Sequence, residues 1–192
     1  MDGRRLLFDL QPIGWGTTQI EPLDTWMVRC RYVLPHFPDD VLEQWLYQHW
    51  AAVFARWGGL AWTQLRFVKV SWSFEQIESL IQIPYHETLT RLSRRMQRIS
   101  YQDDSLNCYF RELLTWPRPP IIYWHQHGFY LDDGHYIHPG YNLIEGYHRF
   151  AALYAMLAAS AISAKQQHVL WLCRQKNTQQ KGPLPRAFTK GL

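Results

Sequence analysis

Five consecutive residues carry the densest chemistry in this chain: Glu145, Gly146, Tyr147, His148 and Arg149. They stand where a short apolar run ending at Ile144 meets a long apolar stretch beginning at Phe150, the pattern of a strand turning into a helix. A glycine at such a junction lets the backbone approach a ligand closely. The start of the helix presents unpaired N–H groups and the positive end of its dipole, which together suit an anion. His148 and Arg149 add donors at that end, and Glu145 adds a carboxylate. The pattern predicts a phosphate site with an acid or base beside it. The same residues also fit a packed histidine and a surface Glu–Arg pair worth about 0–1 kcal/mol, so both readings stand at this point.

A second constellation lies just upstream: His125, His127, Asp132, Asp133, His135 and His138. His125 and His127, two apart on a strand, share a face and could bring two imidazoles to one metal. Asp132 and Asp133 could complete a hard-metal site suited to a nuclease. Asp-Asp-Gly is equally a common turn, and the segment matches no standard zinc spacing. A third feature is basic. Arg91, Arg94, Arg95 and Arg98 fall on one helix face, which fits either contact with nucleic acid or favourable placement near a helix C-terminus. The aromatics Trp116, Tyr123, Trp124, Tyr130, Tyr136, Tyr141 and Tyr147 crowd the region of the first two sites, as stacking platforms or as packing.

The elements that must position these residues read as follows. Residues 1–38 are rich in glycine and proline turn formers and read as irregular, with one short strand near Trp26–Tyr32. Asp39-Asp40 caps a helix to about Trp57, with Val41, Leu42, Trp45, Leu46, Trp50 and Val53 on one side, and Gly58-Gly59 ends it. Gln64–Ser71 is a strand. Ser73 with Gln76 opens a short helix to about Ile81, and Pro84 starts another to about Ile99 that carries the basic face. Ile121–Trp124, Phe129–Leu131 and Asn142–Ile144 are strands, Phe150–Ala164 is a buried helix, and Val169–Cys173 is a last strand.

Length and composition bound the class. The 192 residues suit one domain with extensions. No apolar leader opens the chain, and the longest apolar segment is too short to span a bilayer. Cys30, Cys108 and Cys173 form neither a disulfide framework nor a zinc signature, which points to reduced thiols and a cytoplasmic setting. The net charge of +4 is uneven: residues 161–192 carry six basic and no acidic side chains. That end could touch nucleic acid or simply keep the chain solvated.

The order of elements and the Glu145-Gly146-Tyr147-His148-Arg149 turn resemble the ParB/sulfiredoxin superfamily. Pro119-Pro120-Ile121-Ile122 looks like that family's proline-then-apolar strand, and Leu143-Ile144-Glu145-Gly146 like its strand leading to the phosphate-binding glycine. The likeness covers roughly residues 64–174. It implies an α/β (α+β) fold: a mixed sheet with flanking helices, preceded by a partly helical N-terminal extension (1–63) and followed by a basic tail (175–192). Tyr147 stands where sulfiredoxin has its nucleophilic cysteine, so sulfinic-acid reduction is not expected. Partition proteins have two arginines where this chain has His148-Arg149, and a helix-turn-helix domain beyond. What is left resembles the stand-alone, plasmid-borne fertility-inhibition (Osa-like) type, whose members are bacterial ATPases and DNases acting against DNA transfer.

On that resemblance, Gly146, Tyr147, His148 and Arg149 would hold the phosphates of ATP or CTP. His148 would act on a phosphate oxygen or the leaving group, and Glu145 would orient a water or share Mg2+ or another divalent cation with Asp132 and Asp133. The expected function is nucleotide hydrolysis, extended by a metal-dependent DNase activity, in plasmid competition. DNA and a component of a DNA-transfer machine are the expected partners. Two alternatives remain open: a non-catalytic DNA- or protein-binding module that keeps the fold, and an ADP-ribosylating toxin. Fold-level analogy alone does not choose among them.

Overall fold

The structure is a computed structural model and describes residues 2–98, 110 and 112–176. Its centre is a five-stranded mixed sheet of order β1-β7-β3-β6-β2. The strands are β1 (Leu65–Ser73), β2 (Ile81–Gln82), β3 (Ile121–His125), β6 (Gly140–Glu145) and β7 (Gln167–Gln175); β4 (Phe129–Tyr130) and β5 (Tyr136–Ile137) form a separate hairpin. β3 runs parallel to β7 and antiparallel to β6. The architecture is α/β (α+β), a mixed sheet with flanking helices.

Strand alternation divides the core into two layers. Ile121, Tyr123, Ile144, Trp171 and Cys173 face one way; Ile122, Trp124, Leu143, Leu170 and Leu172 face the other. A strand buried on both faces reads as a continuous apolar run, as Ile121–Trp124 does. The first layer is completed by residues 2–63: α1 (Gly3–Asp9), α2 (Leu23–Val33), α3 (Asp39–Val41), a π-helical turn (Leu42–Tyr47) and α4 (Gln48–Trp57). The second is completed by α5 (Phe74–Leu80), α6 (His86–Arg98) and α7 (Tyr147–Ala158).

Local signals explain most of these elements. Ser73 and Gln76 form a reciprocal capping box at the start of α5, Gln76 N–H to Ser73 Oγ at 3.2 Å and Ser73 N–H to Gln76 Oε1 at 2.9 Å. Where residues 26–32 read as a strand, the chain is helical throughout Leu23–Val33. Trp26, Met27 and Cys30 are the buried residues of α2, and their helical spacing meets the core from one side. The Trp26 indole N–H, donated to the Leu10 carbonyl at 2.7 Å, anchors it. The strands β2 and β5 have only two residues each, too few for periodicity to reveal. Cys30 and Cys173 are free and buried; Cys108 and the tail beyond 176 lie outside the described residues.

Candidate functional site

The strand-to-helix junction is formed as the sequence suggests, with Gly146 as N-cap in the left-handed region (φ 110°) and α7 beginning at Tyr147. The reason for the glycine is mechanical. A Cβ there would meet Pro120 Cβ at 2.7 Å and Arg149 Nε at 3.3 Å, so the space beside Gly146 is filled by the chain itself. As glycine has no side chain, the N-cap position supplies no capping oxygen to the first turn.

Arg149 turns inward and is buried. Its guanidinium donates to the Gln44 side-chain oxygen, to the Arg118 carbonyl at 2.9 Å, to the Pro119 carbonyl at 3.4 Å and to Glu145 Oε1 at 3.1 Å. Burial lowers its pKa and the neighbouring Glu145 carboxylate opposes that shift; an arginine remains charged regardless. Gln44 in turn donates to the Pro119 carbonyl at 3.2 Å. The π-helical turn brings Gln44 inside beside Trp45 and Leu46. Arg149 therefore ties α7 to the strand entry at Pro119 and to the N-terminal helices. The sequence signal for Gln44 is a single polar residue on an otherwise apolar helix face.

The surface around this clasp holds the remaining polar groups of the junction. Glu145 is partly exposed and has His49 Nε2 at 3.9 Å as a further neighbour. His49 sits where the helix kinks (φ −125°, ψ 26°), which no sequence signal marks. His148 is exposed on the first turn of α7. Tyr147 is half-buried; its hydroxyl accepts from Tyr85 N–H at 3.3 Å and donates to the Leu143 carbonyl at 3.2 Å.

The two aspartates are engaged by side chains and backbone of the chain itself. Asp132 takes Arg4 at 2.5 Å and the Gly59 N–H at 3.3 Å. Asp133 takes Arg56 at 3.2 Å, the Tyr85 hydroxyl at 2.8 Å and His135 at 3.2 Å. Burial raises the Asp133 pKa, but hydrogen bonds from Tyr85 and His135 outweigh it and hold the carboxyl below its ordinary value. Arg56 also lies 4.5 Å from the centre of the Tyr85 ring. These pairs staple the β4–β5 hairpin to α1 and α4. Among the described residues no group of three or more His, Cys, Asp and Glu side chains is placed to hold a metal ion. Glu145, Asp132 and Asp133 are not brought together in such a group, and each carboxylate lies beside an arginine. His125 Nδ1 bonds to the His127 backbone rather than joining it around a cation.

Of the basic face, Arg91 and Arg94 are exposed on α6, while Leu89 and Leu92 are buried against the second layer. The side chains of Arg95 and Arg98 lie outside the described ones. Arg4, Arg5, Arg29, Arg31, Arg56, Arg118 and Arg149 each pair with a carboxylate. Arg91 and Arg94 have no such pairing with a described residue. Arg94 also lines a groove of about 570 Å³ together with His86, Leu89 and Tyr154. Of the aromatics singled out for stacking, Trp116, Tyr123, Trp124 and Tyr141 are buried, whereas Tyr130 and Tyr136 are exposed.

No described helix is long and apolar enough to cross a membrane. Neither a protein-family model, nor a curated protein, nor a solved structure matches this chain.

Proposed function

We propose that this chain is a nucleic-acid-binding protein that contacts the phosphate backbone of DNA through the exposed face of α6. The observation that carries this reading is the contrast among arginines. Seven are engaged in carboxylate pairs and the half-buried Arg66 donates to the Thr63 and Leu65 carbonyls, while Arg91 and Arg94 stand exposed without a carboxylate partner among the described residues. Cations left without an internal carboxylate on one helix face are what a polyanion requires. The six basic residues of 161–192, with no acid among them, add attraction at longer range. In the ParB/sulfiredoxin resemblance this activity would serve interference with DNA transfer between bacteria. The test is fluorescence anisotropy of labelled duplex and single-stranded DNA across a salt series. Arg91→Ala/Arg94→Ala should weaken binding and reduce the salt slope by roughly 1 per arginine. Unchanged affinity and slope in that variant would refute the assignment.

A second reading, hydrolysis of ATP or CTP, is favoured by one specific observation. An exposed His148 and the Glu145–His49 pair (3.9 Å) flank the start of α7, where a helix dipole favours phosphate. In this reading Arg149 positions the turn, and the backbone N–H groups and His148 meet the ligand. No step here runs through a metal. Turnover that falls at least tenfold in both Glu145→Gln and His148→Ala, at unchanged thermal stability, would establish it.

A further inference from the structure

The groove that Arg94 lines is built from α5, the edge strand β2, α6 and α7. Ile81, Ile83, Leu89 and Tyr154 give it apolar walls. Arg94 on α6 and Glu78 on α5 place charges of opposite sign on it, and both side chains are exposed. No ion pair joins the two. Tyr154 is half-buried, with its ring T-shaped to Phe74 at 5.0 Å. Such a contact occupies at most one face of the Tyr154 ring. Burial raises the Tyr154 pKa and the Glu78 carboxylate adds to the rise, so the phenol stays protonated at neutral pH.

These features constrain what enters the groove when α6 meets DNA. Phosphates are drawn to Arg91 and Arg94, whereas Glu78 repels any phosphate that follows the groove inward. The backbone must then run along α6, and the part that turns into the groove must be uncharged. A nucleobase meets that condition, and it stacks on aromatic rings. Space is sufficient: the groove holds about 570 Å³, and an apolar cavity of about 150 Å³ already holds benzene. A duplex keeps its bases stacked and paired inside. Only a strand with free bases engages the arginines and the groove together.

We propose that α6 and this groove select single-stranded DNA, with phosphates on Arg91 and Arg94 and one base seated in the groove against Tyr154. The inference rests on the reading of α6 as a DNA-contact face, and the test separates the two. Anisotropy with the full chain compares a labelled single strand of about 12 nucleotides, its duplex, and an abasic strand of the same length and charge. The single strand should bind at least about fivefold more tightly than either other probe. Tyr154→Leu keeps apolar bulk and removes the ring; Ala158→Leu narrows the groove from an exposed position. Each should lower single-strand affinity to that of the abasic probe and leave abasic binding unchanged. Ala158→Leu decides the matter if Tyr154→Leu does not fold. An abasic strand or duplex bound as tightly as the single strand, or a preference that survives in a folded variant, would overturn the base site and leave the DNA-contact reading in place. No binding of any probe would overturn both.

Discussion

The two ends of β3 differ in what answers their polar groups. At the Ile121 end, Arg149 is met by Gln44, Glu145 and two backbone carbonyls, and the space beside Gly146 is taken by Pro120. At the His125 end, the buried Tyr123 hydroxyl is met by no described residue. The Ile121 end has the residues of a site and the wiring of a clasp. The His125 end has the sequence of ordinary aromatic packing, yet leaves a buried hydroxyl without an acceptor among the described residues. Residue type shows what chemistry is available; the state of each hydrogen bond shows whether that chemistry is already committed to holding the fold.

The largest expected effect tests the clasp. Arg149→Met removes one side of a buried charge network and should destabilise the protein by about 3–5 kcal/mol, measured by urea denaturation. A loss below about 1 kcal/mol would mean that the clasp is not what joins α7 to the N-terminal helices, and the contrast between the two ends would collapse.

The next effect sharpens what an unpartnered buried polar atom implies. His168 is buried, its Nδ1 lies 3.0 Å from the Thr115 hydroxyl, and its Nε2 has no partner among the described residues. Its burial should appear as acid sensitivity. Burial lowers its pKa from 6.5 to about 4. The unfolded chain therefore binds the proton first as pH falls, and stability is full above about 6.5 and is lost toward 4. The loss should approach about 3 kcal/mol at the acid end. Denaturation curves across this range should show a shallower dependence in His168→Gln; an equal slope would remove His168 from the account.

A smaller effect is expected at the glycine. Gly146→Ala meets both the positive φ and Pro120, and should cost about 2–3 kcal/mol. Thermal melting checks it, and a neutral result would mean that the turn relaxes and leaves room for a ligand after all. The smallest effect is Tyr123→Phe. Removal of a donor that has no partner should leave stability within about 1 kcal/mol of wild type, on the favourable side. A clear loss would reveal an internal partner for the hydroxyl.

Much of the scaffold is legible in the sequence for identifiable reasons. The capping box at Ser73–Gln76, the doubly apolar Ile121–Trp124 and the Asp39-to-Trp57 periodicity are each local signals strong enough to survive tertiary context. Leu23–Val33 is hidden by the turn formers around it, although Trp26, Met27 and Cys30 carry its helical spacing. The Gly146 turn is legible as a strand-to-helix junction, whereas the inward turn of Arg149 is not. That direction depends on Gln44, 105 residues away in sequence, and on the carbonyls of Arg118 and Pro119. Asp132 and Asp133 resemble metal donors because their sequence neighbours are histidines. In space their nearest cations are Arg4 and Arg56.

By itself the sequence determined the mixed α/β class, most of the strands and helices, and the basic, amphipathic character of α6, since these follow from periodicity, capping and charge within short windows. Tertiary structure alone decided which polar residues remain available. A guanidinium or carboxylate is satisfied by whatever the fold brings within about 3 Å, and those partners come from distant segments. The same long-range closure turned Asp132, Asp133 and Arg149 toward the chain. Among the described residues it left Arg91 and Arg94 without a carboxylate and the Tyr123 hydroxyl without an acceptor.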